Sequence, residues 1–286
     1  MKIAYLIITA PAKGKRVSED AYVVLPQNGF PFFAAVVDGH GPVSVHFNGD
    51  ISDFARFVAL TLGSLFKRVP RADKLSELFS ITQFDVEQTY GPLPFGAVAS
   101  CVMIDAFGVT LAQAGDCQLY RFAPNHPNGY ELLTQDHCVD NPIEIQRLRP
   151  FYESGRFASL SDDAGDYFVE QRLHYKDKHG NWSESSLMPT RGFGDPEFHP
   201  AFTHVPEVRS ISFDTGQETL FALCSDGGSK TVQQAFKHVC SKQERFNELT
   251  LKRIADAVRL FVPEKPEDDV TIILINIFPH PTPTSF

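Results

Sequence analysis

FFAAVVDGHG, residues 32–41, runs six apolar residues directly into an acid, a glycine, a histidine and another glycine. The apolar part favours a strand, because aromatic and β-branched side chains pack well on a pleated surface. Asp-Gly after such a run is also a turn signal: glycine supplies positive φ and aspartate bonds its own backbone. Asp38 therefore has two readings. It closes a strand in a turn, or it is a carboxylate that the strand carries to something that needs one.

The same arrangement recurs along the chain. Asp116 follows VTLAQAG (109–115) and Asp226 follows TLFALCS (219–225). Asp268 and Asp269 precede VTIILINI (270–277), and Glu19 and Asp20 precede AYVVL (21–25). Each acid alone reads as a strand-end or solvated residue. If the strands share one sheet edge, the carboxylates converge, and uncompensated like charges raise one another's pKa. A divalent cation relieves that cost, and hard carboxylate oxygens suit Mg²⁺ or Mn²⁺. Zinc is disfavoured because no His/Cys cluster has ligand spacing.

Composition narrows the partners. The chain has 286 residues, 43% hydrophobic and 21% charged, enough to bury a sizeable core. Twenty-six Lys and Arg against 35 Asp and Glu leave a net charge of −9, which argues against a nucleic-acid or anionic-membrane partner. The five cysteines, Cys101, Cys117, Cys138, Cys224 and Cys240, are widely spaced with no C-x-x-C pair, the usage of a reduced, cytoplasmic chain. MKIAYLIITAPA at the N-terminus reads as a first strand in preference to a signal segment, and no run approaches the ~18 apolar residues of a membrane span.

Further strands are expected at Ile3–Ile8, Ala21–Leu25, Phe32–Val37, Ala97–Ile104, Val109–Ala114, Gln118–Phe122, Tyr130–Leu133, Glu207–Phe213, Thr219–Cys224 and Val270–Phe278. Apolar residues at three and four predict helices at about Ile51–Arg68, Ala72–Tyr90, Thr231–Val239 and Arg245–Phe261, with Asp73 placed to cap the second. A short helix is expected near Pro142–Leu148. Phe151–Glu184 is polar and unassigned, with YKDKHGNW (175–182) as a candidate hairpin tip. Grouped strands and paired helices are an α+β pattern and not alternating βαβ units. One domain over 1–286 is expected.

The ordered series KRVSEDAY (15–22), VVDGHG (36–41), AGDCQLYR (114–121), LTQDH (133–137), TRGFGD (190–195), LCSDGG (223–228) and DDVTII (268–273) resembles the metal-dependent protein phosphatase 2C family. The match spans about Lys15 to Ile273. It implies a four-layer αββα sandwich, with two antiparallel β-sheets flanked by pairs of antiparallel helices and a metal centre at one edge. It also implies a variable flap at about 151–187.

By that resemblance, Asp20, Asp38, Asp226 and Asp268 hold two Mg²⁺ or Mn²⁺ ions. Gly39 contributes its carbonyl, Glu19 acts through bound water, and Asp116 belongs to a third, weaker position. Asp268 is chosen over Asp269 as the first acid of DDVT. His40 matches the candidate general acid, with an orienting histidine as the alternative. The family arginine that meets the substrate phosphate is replaced by Lys15, with Arg16 beside it; lysine binds phosphate as a point charge without the bidentate fork. Gly96–Ser100 (GAVAS) and the SDGG motif are milder departures. Thr190, Arg191, Gly194 and Asp195 match a motif read as structural.

The implied function is a metal-dependent serine/threonine protein phosphatase acting on phosphorylated proteins, expected to be a cytoplasmic monomer. Two metals can bind phosphoryl oxygens and activate water, so no enzyme nucleophile is required. The alternatives are a catalytically weak or inactive phosphatase-like binding module and a phosphatase of small phosphoesters.

Overall fold

A computed structural model describes residues 2–26, 31–41, 48–161, 171–183, 185–213, 217–241 and 250–278. Two antiparallel sheets stack face to face. One contains β1 (Lys2–Ala10), β6 (Gln118–Phe122), β7 (Tyr130–Leu132), β12 (Thr219–Cys224) and β13 (Val270–Phe278), in the order β1-β13-β12-β6-β7. The other contains β2 (Asp20–Leu25), β3 (Phe32–His40), β4 (Gly96–Ile104), β5 (Val109–Ala114) and β11 (Glu207–Ile211), in the order β11-β5-β4-β3-β2. The two-residue β10 (Phe193–Gly194) adds to β4. The N-terminal run is indeed a strand: β1 pairs with β13 along its whole length.

Both sheets are apolar on both faces, which is why their strands read as continuous hydrophobic runs and not as alternation. Phe32, Ala34 and Val36 face Phe221, Leu223, Ile273 and Ile275 in the layer between the sheets. Phe33, Ala35 and Val37 point the other way, under α1 (Asn48–Arg68) and α2 (Leu75–Tyr90). On the opposite outer face, α4 (Asp226–Ser241) and α5 (Thr250–Phe261) cover Ala222, Ile272 and Leu274. Each fully buried Phe or Leu of these layers contributes about 1.5–3 kcal/mol. The result is the expected αββα sandwich of the α+β class.

Three local expectations change, and a fourth is described only in part. The strand of FFAAVVDGHG does not stop at Val37: Asp38, Gly39 and His40 continue the β3–β4 ladder opposite Val98, Ala97 and Gly96. Asp-Gly is therefore not a turn here, because the ladder supplies the backbone bonds a turn would have made. Asp73 does not cap α2; it lies in a 3₁₀ turn (Ala72–Lys74) and pairs with Arg71. The helix expected from Thr231 begins five residues earlier, at Asp226. The helix expected from Arg245 is described from Thr250, and positions 245–249 lie outside the described residues.

The segment left unassigned is built from α3 (Pro142–Glu153), capped by the Asn141 side chain, and a small sheet of β8 (Phe157–Ser161) and β9 (Gln171–Tyr175). The hairpin tip is where the sequence suggested it: Lys176 bridges to Trp182, and Asp177 accepts from the backbone of His179 and Asn181. Its apolar residues form a satellite core with Leu148, Phe157, Leu173 and Phe202.

Candidate active site

The strand-end acids come to one edge of the sandwich. Asp20 and Asp38 are direct partners across the β2–β3 ladder. Asp226 follows the end of β12 and Asp268 precedes β13, and these two strands are neighbours. Glu19, Asp38, Gly39, His40, Asp116, Asp226 and Asp268 line one cavity of about 510 Å³. Asp20 is set back from its wall.

Gly39 has a steric reason. A Cβ there would stand 2.8 Å from the Glu19 carbonyl oxygen and from Ile51 Cγ2, so only glycine lets β3 pass so close to Glu19.

The two sheets are tied at this edge by Ser225. Its hydroxyl donates to Asp20 Oδ2 at 2.7 Å and accepts the Thr271 N–H at 3.1 Å. Asp269, the second acid of DDVT, does not line the cavity and is 2% exposed. Its Oδ1 accepts the Ala12 N–H at 2.6 Å, and its Oδ2 accepts the Glu19 N–H at 2.8 Å. Asp268, at the cavity, and Asp269, turned inward, thus have separate surroundings.

Burial pushes Asp20 up to about 7, with the charges of Asp269 and Asp226 adding to it against the Ser225 hydrogen bond. Asp116 also stands at about 7, from burial and then Asp226 and Asp136. Asp38 is driven well above the carboxylate range by burial and by Asp20, Asp226 and Asp116 around it. Asp268 is raised by burial and Asp226. This is the electrostatics of carboxylates gathered without a counter-charge.

Among the described residues, no three Asp, Glu, His or Cys side chains already stand as a closed ligand set. The donor chemistry nonetheless fits a hard divalent cation: every candidate is an oxygen, and Asp20 Oδ1 is buried with no hydrogen-bond partner.

His40 is fixed by Asp195, whose Oδ2 lies 2.6 Å from His40 Nε2. Burial lowers the histidine's pKa, but the Asp195 charge and hydrogen bond outweigh it and the net shift is upward. Asp195 also lines the cavity, so it is not the purely structural residue its motif suggested; Thr190 and Arg191 are, both bonded to the buried Glu144. Gly96, directly opposite His40 in the ladder, makes room: a Cβ there would lie 2.0 Å from Asp195 Oδ2.

The structure does not bring Lys15 or Arg16 to the cavity wall. Lys15 Nζ donates to Glu19 Oε2 at 2.6 Å and Asp269 Oδ2 at 2.9 Å, which hold its ammonium form strongly. Arg16 is exposed. The arginine that lines the cavity is Arg172 of β9, in the segment whose sequence carries no readable pattern.

The chain belongs to the protein phosphatase 2C family, whose model matches residues 31–261. Solved structures share the fold. A phosphatase from Toxoplasma gondii superposes with a TM-score of 0.67 at 15% identity, over 96% of this chain and 93% of that one. A Caenorhabditis elegans sex-determining protein gives 0.66 at 18% identity; it is covered over 66% of its length by 98% of this chain. A Mycobacterium tuberculosis serine/threonine phosphatase gives 0.54 at 15%, over 96% and 99%. No curated sequence relative matches. Family and neighbours together support a phosphatase.

Proposed function

We propose that this chain is a Mg²⁺- or Mn²⁺-dependent phosphatase of phosphoserine and phosphothreonine in proteins, with the whole chain as one catalytic domain and residues 151–187 as its flap. The observation that carries the reading is the set of strand-end carboxylates on one cavity, of which Asp38, Asp116 and Asp268 are raised in pKa, together with the orphaned buried oxygen of Asp20 set back behind the wall. Asp20, Asp38, Asp226 and Asp268, with the Gly39 carbonyl, would hold two ions; Glu19 and Asp116 flank them. Bound there, the ions supply Lewis acidity toward phosphoryl oxygens and toward water.

The chain's own residues do the rest. Asp38, on β3, and Asp226, at the start of α4, would fix where the ions sit. His40 holds the proton for the departing serine or threonine oxygen. Its Nε2 is engaged by Asp195, so that proton sits on Nδ1, and the same ion pair keeps the ring protonated toward neutral pH.

The test is hydrolysis of a phosphothreonine peptide and of p-nitrophenyl phosphate by wild type with Mn²⁺, with EDTA, and by Asp226→Asn. Peptide turnover that needs Mn²⁺ and falls at least about 100-fold in the variant is expected. Folded, Mn²⁺-loaded protein without turnover would sink the reading. Turnover of the small ester alone would move the substrate class away from proteins.

A further inference from the structure

We infer that Arg172, carried by the flap strand β9, is the residue that grips the substrate phosphate in this chain; the inference rests on the phosphatase reading above. A phosphate ester brings negative charge into a cavity whose wall already holds seven Asp and Glu residues. Arg172 is the one lysine or arginine among the described residues that line it. Lys15, at the position where the sequence suggested a phosphate ligand, has its ammonium committed to Glu19 and Asp269 and stands off that wall.

The flap is built to present Arg172. Its neighbour Leu173 is fully buried in the satellite core and exchanges two backbone hydrogen bonds with Leu187, at 2.7 and 3.0 Å. Alternation along the strand then turns Arg172 to the other face, toward the cavity. Arg172 Nε donates to Ser186 Oγ at 2.9 Å, and Ser186 lines the cavity as well. That bond fixes the guanidinium plane, whose fork geometry matches two phosphoryl oxygens. Arg172 and His40 line the same cavity, so the guanidinium and the proton donor face one substrate.

Arginine on the flap also makes phosphate binding depend on where the flap stands.

Three variants test this: Arg172→Ala, Arg172→Lys and Lys15→Met. Each is measured for KM and kcat on the phosphothreonine peptide, and for affinity toward inorganic phosphate by isothermal titration in Mn²⁺. Arg172→Ala is expected to weaken phosphate binding and raise KM about 10- to 100-fold, the scale of losing a charge-assisted pair, with kcat changed less. Arg172→Lys restores part of the loss, and Lys15→Met leaves phosphate affinity closer to wild type. Unchanged phosphate affinity in Arg172→Ala, or its loss in Lys15→Met alone, overturns the assignment while wild-type turnover leaves the phosphatase reading standing. If wild type binds phosphate through Arg172 but turns nothing over, the phosphatase reading fails and takes the substrate role of Arg172 with it, leaving only an anion-binding arginine. If wild type neither binds phosphate nor turns over, both fall.

Discussion

His40 Nε2 and Asp195 Oδ2 lie 2.6 Å apart across 155 positions of sequence. The contact joins the end of β3 to the residue after β10, and it sets both the orientation and the charge of the imidazole. Asp195 raises the proton affinity of His40 against the effect of burial. Removing that carboxylate lowers it, so the protonated form is lost at lower pH. Asp195→Asn is therefore expected to move the basic limb of the kcat–pH profile toward lower pH. Activity should fall about tenfold or more at pH 8.5 and much less at pH 6, since a positioned general acid contributes 10²- to 10⁴-fold. A uniform loss at every pH would mean that Asp195 acts only on structure.

Gly96 should behave as a member of the same device. The Cβ of Gly96→Ala would meet Asp195 Oδ2 at 2.0 Å and the Phe193 carbonyl at 2.5 Å. Neither neighbour is the loose end of a flexible chain, so Asp195 must move. The expected outcome is the pH behaviour of Asp195→Asn together with a stability loss of about 1–3 kcal/mol from overpacking. Thermal melting and the kcat–pH profile check the two halves separately. A melting temperature and profile like wild type would show that β10 shifts without cost.

The strand-end acids could be read from sequence because each sits beside a long apolar run, and runs of that length in grouped order have few ways to pair. That they meet at one edge followed from the resemblance; in the structure Asp38, Asp116, Asp226 and Asp268 line one cavity. Other features had no local signal. The His40–Asp195 contact depends on a left-handed Asp195, with φ of 47°, and on the absent Cβ at Gly96, neither of which periodicity encodes. Asp73 looked like a cap because its position suits one, yet Arg71 two residues before competes for it. Arg172 lay in a polar stretch whose strands are held by a satellite core assembled from distant segments. The motif alone selects Asp268 over Asp269; the bonds of Asp269 to Ala12, Lys15 and Glu19 come from segments 250 to 257 positions away and carry no local signal.

The crowded carboxylates make a prediction about stability in the absence of metal. Asp20 and Asp116 stand at about 7 in the folded protein against an ordinary 3.8. The folded state therefore binds protons that the unfolded state has released, and stability is lost as pH rises through 7. In EDTA the melting temperature should rise when the pH is lowered from 8 to 6.5. At pH 8, Mn²⁺ at about 100 times its Kd should stabilise by about 2.7 kcal/mol, several degrees in melting temperature. Asp38→Asn should melt higher than wild type in EDTA and show a smaller Mn²⁺ response. A melting temperature indifferent to Mn²⁺ would argue that these carboxylates serve no cation.

Glu144 provides the opposite sign. It is fully buried on α3, where Arg191 binds Oε1 through Nε at 2.9 Å and Nη2 at 2.5 Å. Arg147 binds Oε2 at 2.8 and 2.6 Å, and the Thr190 hydroxyl donates to the same oxygen at 2.6 Å. Burial alone would raise its pKa, but these bonds overcome it and hold the carboxyl at about 2. Because the folded value lies below the unfolded one, its stabilisation is present above about pH 4.5 and is lost as pH falls toward 2. Glu144→Gln leaves the Arg191 guanidinium buried without its counter-charge and is expected to cost about 3–5 kcal/mol at pH 7. It should also flatten the acid limb, because the group that titrates there is gone. Urea unfolding of both proteins at pH 7, 4 and 3 measures this. The window below pH 4 is chosen because the buried His137, held down at about 4, produces its own loss between 6.5 and 4. A Gln variant within about 1 kcal/mol of wild type at pH 7 would show that the two arginines are solvated well enough to do without Glu144.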